Sequence, residues 1–107
     1  MREIQSDSLE QQLLNNEQVL VYLYTPLCGT CQLTKKMLTV IEDLDPSVNI
    51  AMMNMNYSST FAEKWKIESV PCLLLIENEL KFEKIYAFRS IEFIRDKINT
   101  FLQTPSS

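Results

Sequence analysis

The 107-residue chain has no histidine and only three cysteines. A structural zinc site usually takes four Cys or His ligands. Zinc held within one chain is therefore not expected, while a site shared by two chains stays open. An odd, low cysteine count also does not resemble the disulfide framework of a small secreted protein. No stretch approaches ~18 continuous apolar residues, so no membrane-spanning helix is expected. The opening MREIQSDSLEQQLL is polar and mildly acidic. It lacks the basic start, apolar centre and small-residue cleavage site of a secretory leader. The cytoplasm is the expected location. Lysine and arginine are dispersed, and the net charge is −4. That balance argues against nucleic acid or an anionic membrane as a main partner. No repeat, low-complexity tract or linker is visible. The single glycine, Gly29, lies between two of the cysteines.

What is present suits one folded domain over residues 1–107. The hydrophobic fraction is 46%, ordinary for a globule and too high for disorder. Ser6, Asp7 and Ser8 offer helix caps before Leu9, Leu13 and Leu14. The run QVLVYLY, residues 18–24, predicts a strand buried on both faces. Leu33, Met37, Leu38 and Ile41 form a helical stripe from Thr30 to about Asp43, ended by Pro46. Residues 48–55 predict a second buried strand, so Met52, Met53 and Met55 read as strand packing. A Ser cap followed by Phe61, Ala62 and Trp65 predicts a helix, with Trp65 in the core. Residues 71–77 predict a third strand. A turn at Asn78-Glu79 leads into LKFEKIYAF, whose alternation is irregular near Glu83-Lys84. Ser90 caps a last helix carrying Ile91, Ile94, Ile98, Phe101 and Leu102, and QTPSS is a frayed tail. The order predicts an α/β fold. A parallel strand pair plus a C-terminal antiparallel hairpin makes a four-stranded mixed sheet with helices on both faces.

Cys28 falls between a strand and a helix, and Cys31 one turn later. Residues three apart on a helix are neighbours, so their Cα atoms can approach the ~5.5–6 Å that a disulfide prefers. The first helical turn has unpaired N–H groups and the positive end of the helix dipole. Both favour a thiolate, and cysteines activated in this way titrate at ~3.5–7.5. Cys28 is the expected nucleophile and Cys31 the resolving thiol. Gly29 is expected to let the chain pass closely and keep the Cys28 sulfur accessible. Inert core cysteines and half of a zinc site are the competing readings.

The segments VLVYLYTPLCGTC and ESVPCLLLIENELKFEKIYAF resemble the thioredoxin family, and the resemblance spans nearly the whole chain. It implies a thioredoxin fold and thiol–disulfide exchange. It also implies that Pro71 is cis beside the active disulfide, with Val70 pairing its backbone to an extended substrate. Leu27 stands where the family has Trp, and Thr30 where it has Pro. Thr30 adds a backbone N–H and a hydroxyl near the Cys28 sulfur, both able to stabilise a thiolate. A disulfide more oxidising than the ~−270 mV of thioredoxin, toward ~−200 mV, is expected. Tyr22 and Met52 occupy the positions of the family's buried Asp and nearby Lys. A phenol of pKa ~10 is a poor base at neutral pH, so Tyr22 reads as core, with water carrying the proton and turnover slowed. Ala87 replaces a family glycine, which implies a narrower partner range.

Cys72 follows Pro71 and reads as a buried apolar cysteine. The sharper alternative is a third redox thiol or a ligand in a dimeric metal site. The expected activity is reduction or exchange of protein disulfides by the Cys28/Cys31 dithiol. Leu27, Gly29, Thr30, Val70 and Pro71 would hold the substrate. A reductase or a low-molecular-weight thiol would supply electrons to a monomer without bound cofactor or metal. A redox-sensing binding module is the alternative.

Overall fold

A computed structural model describes residues 1–103. The β-branched, aromatic and leucine-rich run at Val19–Tyr24 forms strand β2. It lies at the centre of a five-stranded sheet ordered β1 (Arg2–Glu3), β3 (Ile50–Asn54), β2, β4 (Cys72–Asn78) and β5 (Lys81–Ile85). Central placement explains the unbroken apolar run, because both faces of β2 are covered. Helix α2, Gly29–Leu44, connects β2 to the parallel strand β3, Ile50–Asn54. Strand β4, Cys72–Asn78, lies antiparallel to β2 on its other side, and β5, Lys81–Ile85, completes a hairpin with β4.

Alternation along these strands separates two apolar layers. Leu20, Tyr22, Met52, Leu73 and Leu75 face α2 and the last helix, α4, Ile91–Gln103. Val21, Leu23, Met53, Leu74 and Ile76 face α1, Ser6–Leu14, and α3, Ser59–Lys64. Phe61 and Trp65 close that second layer. The expected mixed sheet with helices on both faces is therefore present. Ser90 caps α4, accepting the Phe93 N–H at 3.0 Å.

The sheet has one strand more than the four expected. Strand β1 is Arg2–Glu3, parallel to β3, and both its residues are exposed. Two polar residues carry no periodic signal. The strand is held by backbone pairing, continued by the Ile4 N–H to the Met52 carbonyl at 3.0 Å.

Several local expectations change. The N-cap of α1 is Gln5, with no side-chain cap bond, so Ser6, Asp7 and Ser8 lie inside the first turn. Ser58 precedes α3, but its hydroxyl donates to the Asn54 carbonyl at 3.0 Å instead of capping. Met55 leaves the strand for a short 3-10 turn, Met55–Tyr57, started by the Asn54 side chain. On α2 the buried stripe is Cys31, Thr34, Leu38 and Ile41, while Leu33 is 62% exposed. The hairpin irregularity falls between Ile76 and Asn78, not near Glu83-Lys84. There Glu77 is buried and paired with Lys81 at 3.0 Å. Strand β5 alternates regularly. Phe82 meets Trp65 edge-on at 4.9 Å, and Ile85 packs in the opposite layer. Of the tail, Gln103 closes α4, and residues 104–107 lie outside the described residues.

The stripe on α2 makes a paired prediction. Leu38→Ala removes a side chain with no solvent exposure and is expected to cost about 2–5 kcal/mol. Leu33→Ala is expected to stay within about 0.5 kcal/mol. Urea unfolding of the two variants measures both.

Candidate active site

Strand β2 delivers the chain to the exposed end of the sheet, where Pro26 and Leu27 are exposed and Leu27 is 99% so. The chain turns there, with the Cys28 N–H bonded to the Thr25 carbonyl at 3.3 Å. Cys28 is the N-cap of α2, in extended geometry. Its sulfur takes the role usually played by a Ser or Asp oxygen, accepting the Cys31 N–H at 3.0 Å. The Thr30 hydroxyl lies 3.3 Å from the same sulfur. The backbone donor to Cys28 is thus that of Cys31, while Thr30 contributes its hydroxyl. Cys28 and Cys31 form a disulfide with Cα atoms 5.1 Å apart. Cys28 is half-buried and Cys31 is 2% exposed.

Gly29 does not have the steric role expected of it. A Cβ built there meets nothing within 4 Å, and its φ is not positive. The close passage of chain inferred from the lone glycine is absent, and the surface over Gly29 is open.

The Val70–Pro71 peptide is cis. Leu23 pairs with Cys72 across β2 and β4. Val70 and Pro71 therefore lie at the same end of the sheet as the Cys28 turn, and both are half-buried. Val70 packs against the same layer as Cys28. Leu27, Gly29, Thr30, Val70 and Pro71 thus all lie at the end of the sheet where α2 starts.

The matches to known proteins follow the same lines. The thioredoxin family model matches residues 1–100. The chain belongs to the thioredoxin family. It is 45% identical to the thioredoxin-like protein YusE of Bacillus subtilis over 98 residues, covering 92% of this chain and 91% of the relative. It is 23% identical to a thioredoxin of Porphyra purpurea over 97 residues, covering 89% and 91%. The structure of Fasciola hepatica thioredoxin superposes with a TM-score of 0.78 at 18% identity, covering 94% of this chain and 99% of the other. That last likeness speaks for the thioredoxin fold alone. Family membership and the bonded Cys28–Cys31 pair together support thiol–disulfide oxidoreductase chemistry in general.

Within this member of the family, Tyr22 is fully buried, and its hydroxyl donates to the Cys31 carbonyl at 2.5 Å. Burial pushes that phenol up to about 12, with Thr34 opposing and Tyr24 adding to the shift. Tyr22 therefore packs the interior and holds the first turn of α2, and it is no base at neutral pH. Cys72 lies in the layer against α1 and α3, while Cys31 lies in the layer against α2 and α4. The sheet itself separates the two. Burial pushes the Cys72 thiol up to about 11, partly offset by the Tyr86 hydroxyl. Trp65, 2% exposed, is core as expected. Among the described residues no group of three or more His, Cys, Asp or Glu is arranged to hold a metal, and no helix is long and apolar enough to cross a membrane.

These raised values set an alkaline limit. The unfolded thiol ionises near its ordinary 9.0 and the unfolded phenol near 10.0, both below their folded values. The unfolded chain thus loses protons first, so stability falls as pH rises. The contribution is complete below pH 9.0 and is lost through about 11 for Cys72 and about 12 for Tyr22. Denaturation midpoints of the oxidised protein are expected to drop over this range. Cys72→Ala is expected to flatten the lower part of the drop.

Proposed function

We propose that the chain acts as one thioredoxin-like unit that reduces or exchanges protein disulfides through the Cys28/Cys31 dithiol. The observation that carries this reading is the environment of the Cys28 sulfur. It is half-buried and sits at the start of α2, with the Cys31 amide at 3.0 Å and the Thr30 hydroxyl at 3.3 Å. In the reduced protein these donors and the helix dipole favour the thiolate at Cys28. That thiolate attacks a substrate disulfide, one substrate sulfur leaves, and the other remains bonded to Cys28. Cys31, one turn behind, displaces it and leaves the protein oxidised.

The substrate rests on Leu27 and on the open surface over Gly29 and Thr30. Val70 supplies backbone partners beside Pro71. A reductase or a low-molecular-weight thiol returns the electrons, and the cytoplasm suits such a supply. A redox-gated binding module is the second reading, favoured by Tyr22, which fills the space beside Cys31 without being able to take its proton. Reduction of insulin with a coupled reductase separates the two. Sustained turnover supports the enzyme, and a single stoichiometric oxidation supports the module.

Cys31→Ser is expected to accumulate substrates as mixed disulfides on Cys28, and Cys28→Ser to accumulate none. Recovery of the same proteins on Cys28→Ser reverses the assignment. Thr30→Val removes a hydroxyl from the attacking sulfur. Its alkylation profile is expected to shift to higher pH, and its potential against glutathione to become more negative. An unchanged profile denies the hydroxyl any part in activation.

A further inference from the structure

Resolution requires Cys31 to give up its proton, and Cys31 is 2% exposed. A thiol in apolar surroundings resists ionisation, so the proton needs both a route and an acceptor. Tyr22 touches the Cys31 carbonyl but already donates its own proton there. Cys31 is among the residues lining a pocket of about 380 Å³, together with Glu3, Tyr22, Tyr24, Lys35 and Met52. A water molecule occupies only ~30 Å³ in the liquid, so solvent fits. Among the residues lining this pocket, Glu3 is the one carboxylate.

The sheet places Glu3 there. Glu3 pairs with Met52 on β3, and Met52 pairs with Tyr22 on β2. The three form one row across three strands, so their Cα atoms span about 10 Å. Paired residues share a face of the sheet, and for this row it is the face that packs on Cys31. The Tyr24 hydroxyl donates to Glu3 Oε1 and tethers the carboxylate at the pocket. Burial, and then Glu3 itself, push the Tyr24 phenol up to about 12, so it keeps its proton.

We propose that Glu3 is the proton acceptor for the Cys31 thiol, reached through solvent in this pocket. The proposal rests on the exchanging dithiol described above. In the mixed disulfide, Cys28 is bonded to a substrate sulfur. The Cys31 S–H gives its proton through water to the Glu3 carboxylate. The sulfur electron pair then forms the Cys28–Cys31 bond as the Cys28–substrate bond breaks. The substrate sulfur departs as a thiolate, and the Glu3 proton passes to it through the same solvent. Over the cycle the dithiol loses two electrons and the substrate disulfide gains them. A carboxylate within reach through one or more waters is able to act in this way as a general base.

The other ionisable groups facing the pocket are Lys35 from α2 and Tyr22 and Tyr24 from β2. Met1 also lines it, and its amino group is bound to Glu42 at 2.9 Å. From β3 the pocket receives only the uncharged Met52. A lysine ammonium group has only hydrogen-bond donors, so Lys35 is no acceptor.

The reduced full-length protein, mixed with 5,5′-dithiobis(2-nitrobenzoate), gives two releases of nitrothiobenzoate. The first reports attack by Cys28 and the second reports resolution by Cys31. Glu3→Gln preserves size and an acceptor for Tyr24. It is expected to slow the second release about 100-fold near neutral pH, the lower end of what positioned proton transfer contributes. The first release is expected to keep its rate, and Glu3→Asp to fall between. The deficit is expected to shrink as pH rises, because hydroxide can then take the proton in place of Glu3. A second release within about threefold of the parent near neutral pH overturns the proposal, since positioned proton transfer contributes far more. So does equal slowing of both releases, or a deficit constant with pH, since either marks a structural role. If the parent protein shows no second release, the dithiol reading fails and the proposal falls with it. A parent that resolves beside an unaffected Glu3→Gln rejects the Glu3 role alone.

Discussion

The hydrogen bond from the Cys31 amide to the Cys28 sulfur does two things at once. It satisfies one of the N–H groups that every helix start leaves unpaired, and it directs a backbone dipole at the atom that must carry charge. A serine or aspartate would cap α2 equally well but would carry no redox chemistry. Using sulfur as the cap makes the local folding requirement and the activation of the nucleophile the same contact, 3.0 Å long. The position of α2 therefore depends on the atom that reacts. The remaining site residues are arranged around that point by the sheet. Strand β2 ends where Cys28 must begin, and β4 starts beside it with the Val70–Pro71 peptide.

The sheet also sorts the three thiols. Leu23 and Cys72 are paired neighbours, and both face the layer against α1 and α3. Tyr22 and Leu73, one residue along each strand, face the layer that holds Cys31. A one-residue slip of β4 would turn Cys72 toward the active disulfide. That slip would also turn Leu73, Leu74, Leu75 and Ile76 to the opposite layers and displace buried Glu77 from Lys81. The packing of the whole sheet thus keeps the third thiol from exchanging with the other two.

The parts legible in the sequence are those with strong periodicity or dense chemistry. The buried β2 run, the Cys28 helix start, the Ser90 cap and the two-sided core follow from residue type and spacing. The missed parts have physical reasons. Strand β1 is held by backbone hydrogen bonds between exposed residues, and a backbone bond leaves no trace in side-chain pattern. Leu33 matches the stripe within the scatter of helical spacing, yet the face is decided by where Cys31 must point. Thr34 then takes the buried position, its hydroxyl donating to the Thr30 carbonyl at 2.9 Å. Gly29 invites a steric explanation because it is unique in the chain, but rarity in composition is not crowding in space. The hairpin irregularity is displaced because Glu77 pairs with Lys81 and takes up the extra residue on β4, an ion pair that alternation alone does not reveal.

Strand β1 is short and exposed at the sheet edge, and it lacks the apolar content that would let it stabilise the core by itself. Its partner β3 is already paired on its other side by β2. The gain from β1 is therefore mainly satisfaction of the β3 edge, for which two residues and the Ile4 N–H suffice. What β1 adds beyond edge protection is a charge. Interior positions of the same row are Met52 and Tyr22, neither of which carries charge at neutral pH, because burying an unpaired carboxylate there would carry a large desolvation cost. At the edge, Glu3 stays solvated while facing the same layer as Cys31. The edge strand thus holds the Glu3 carboxylate near a buried thiol without taking it out of water, whereas the Tyr22 position on the central strand is fully buried.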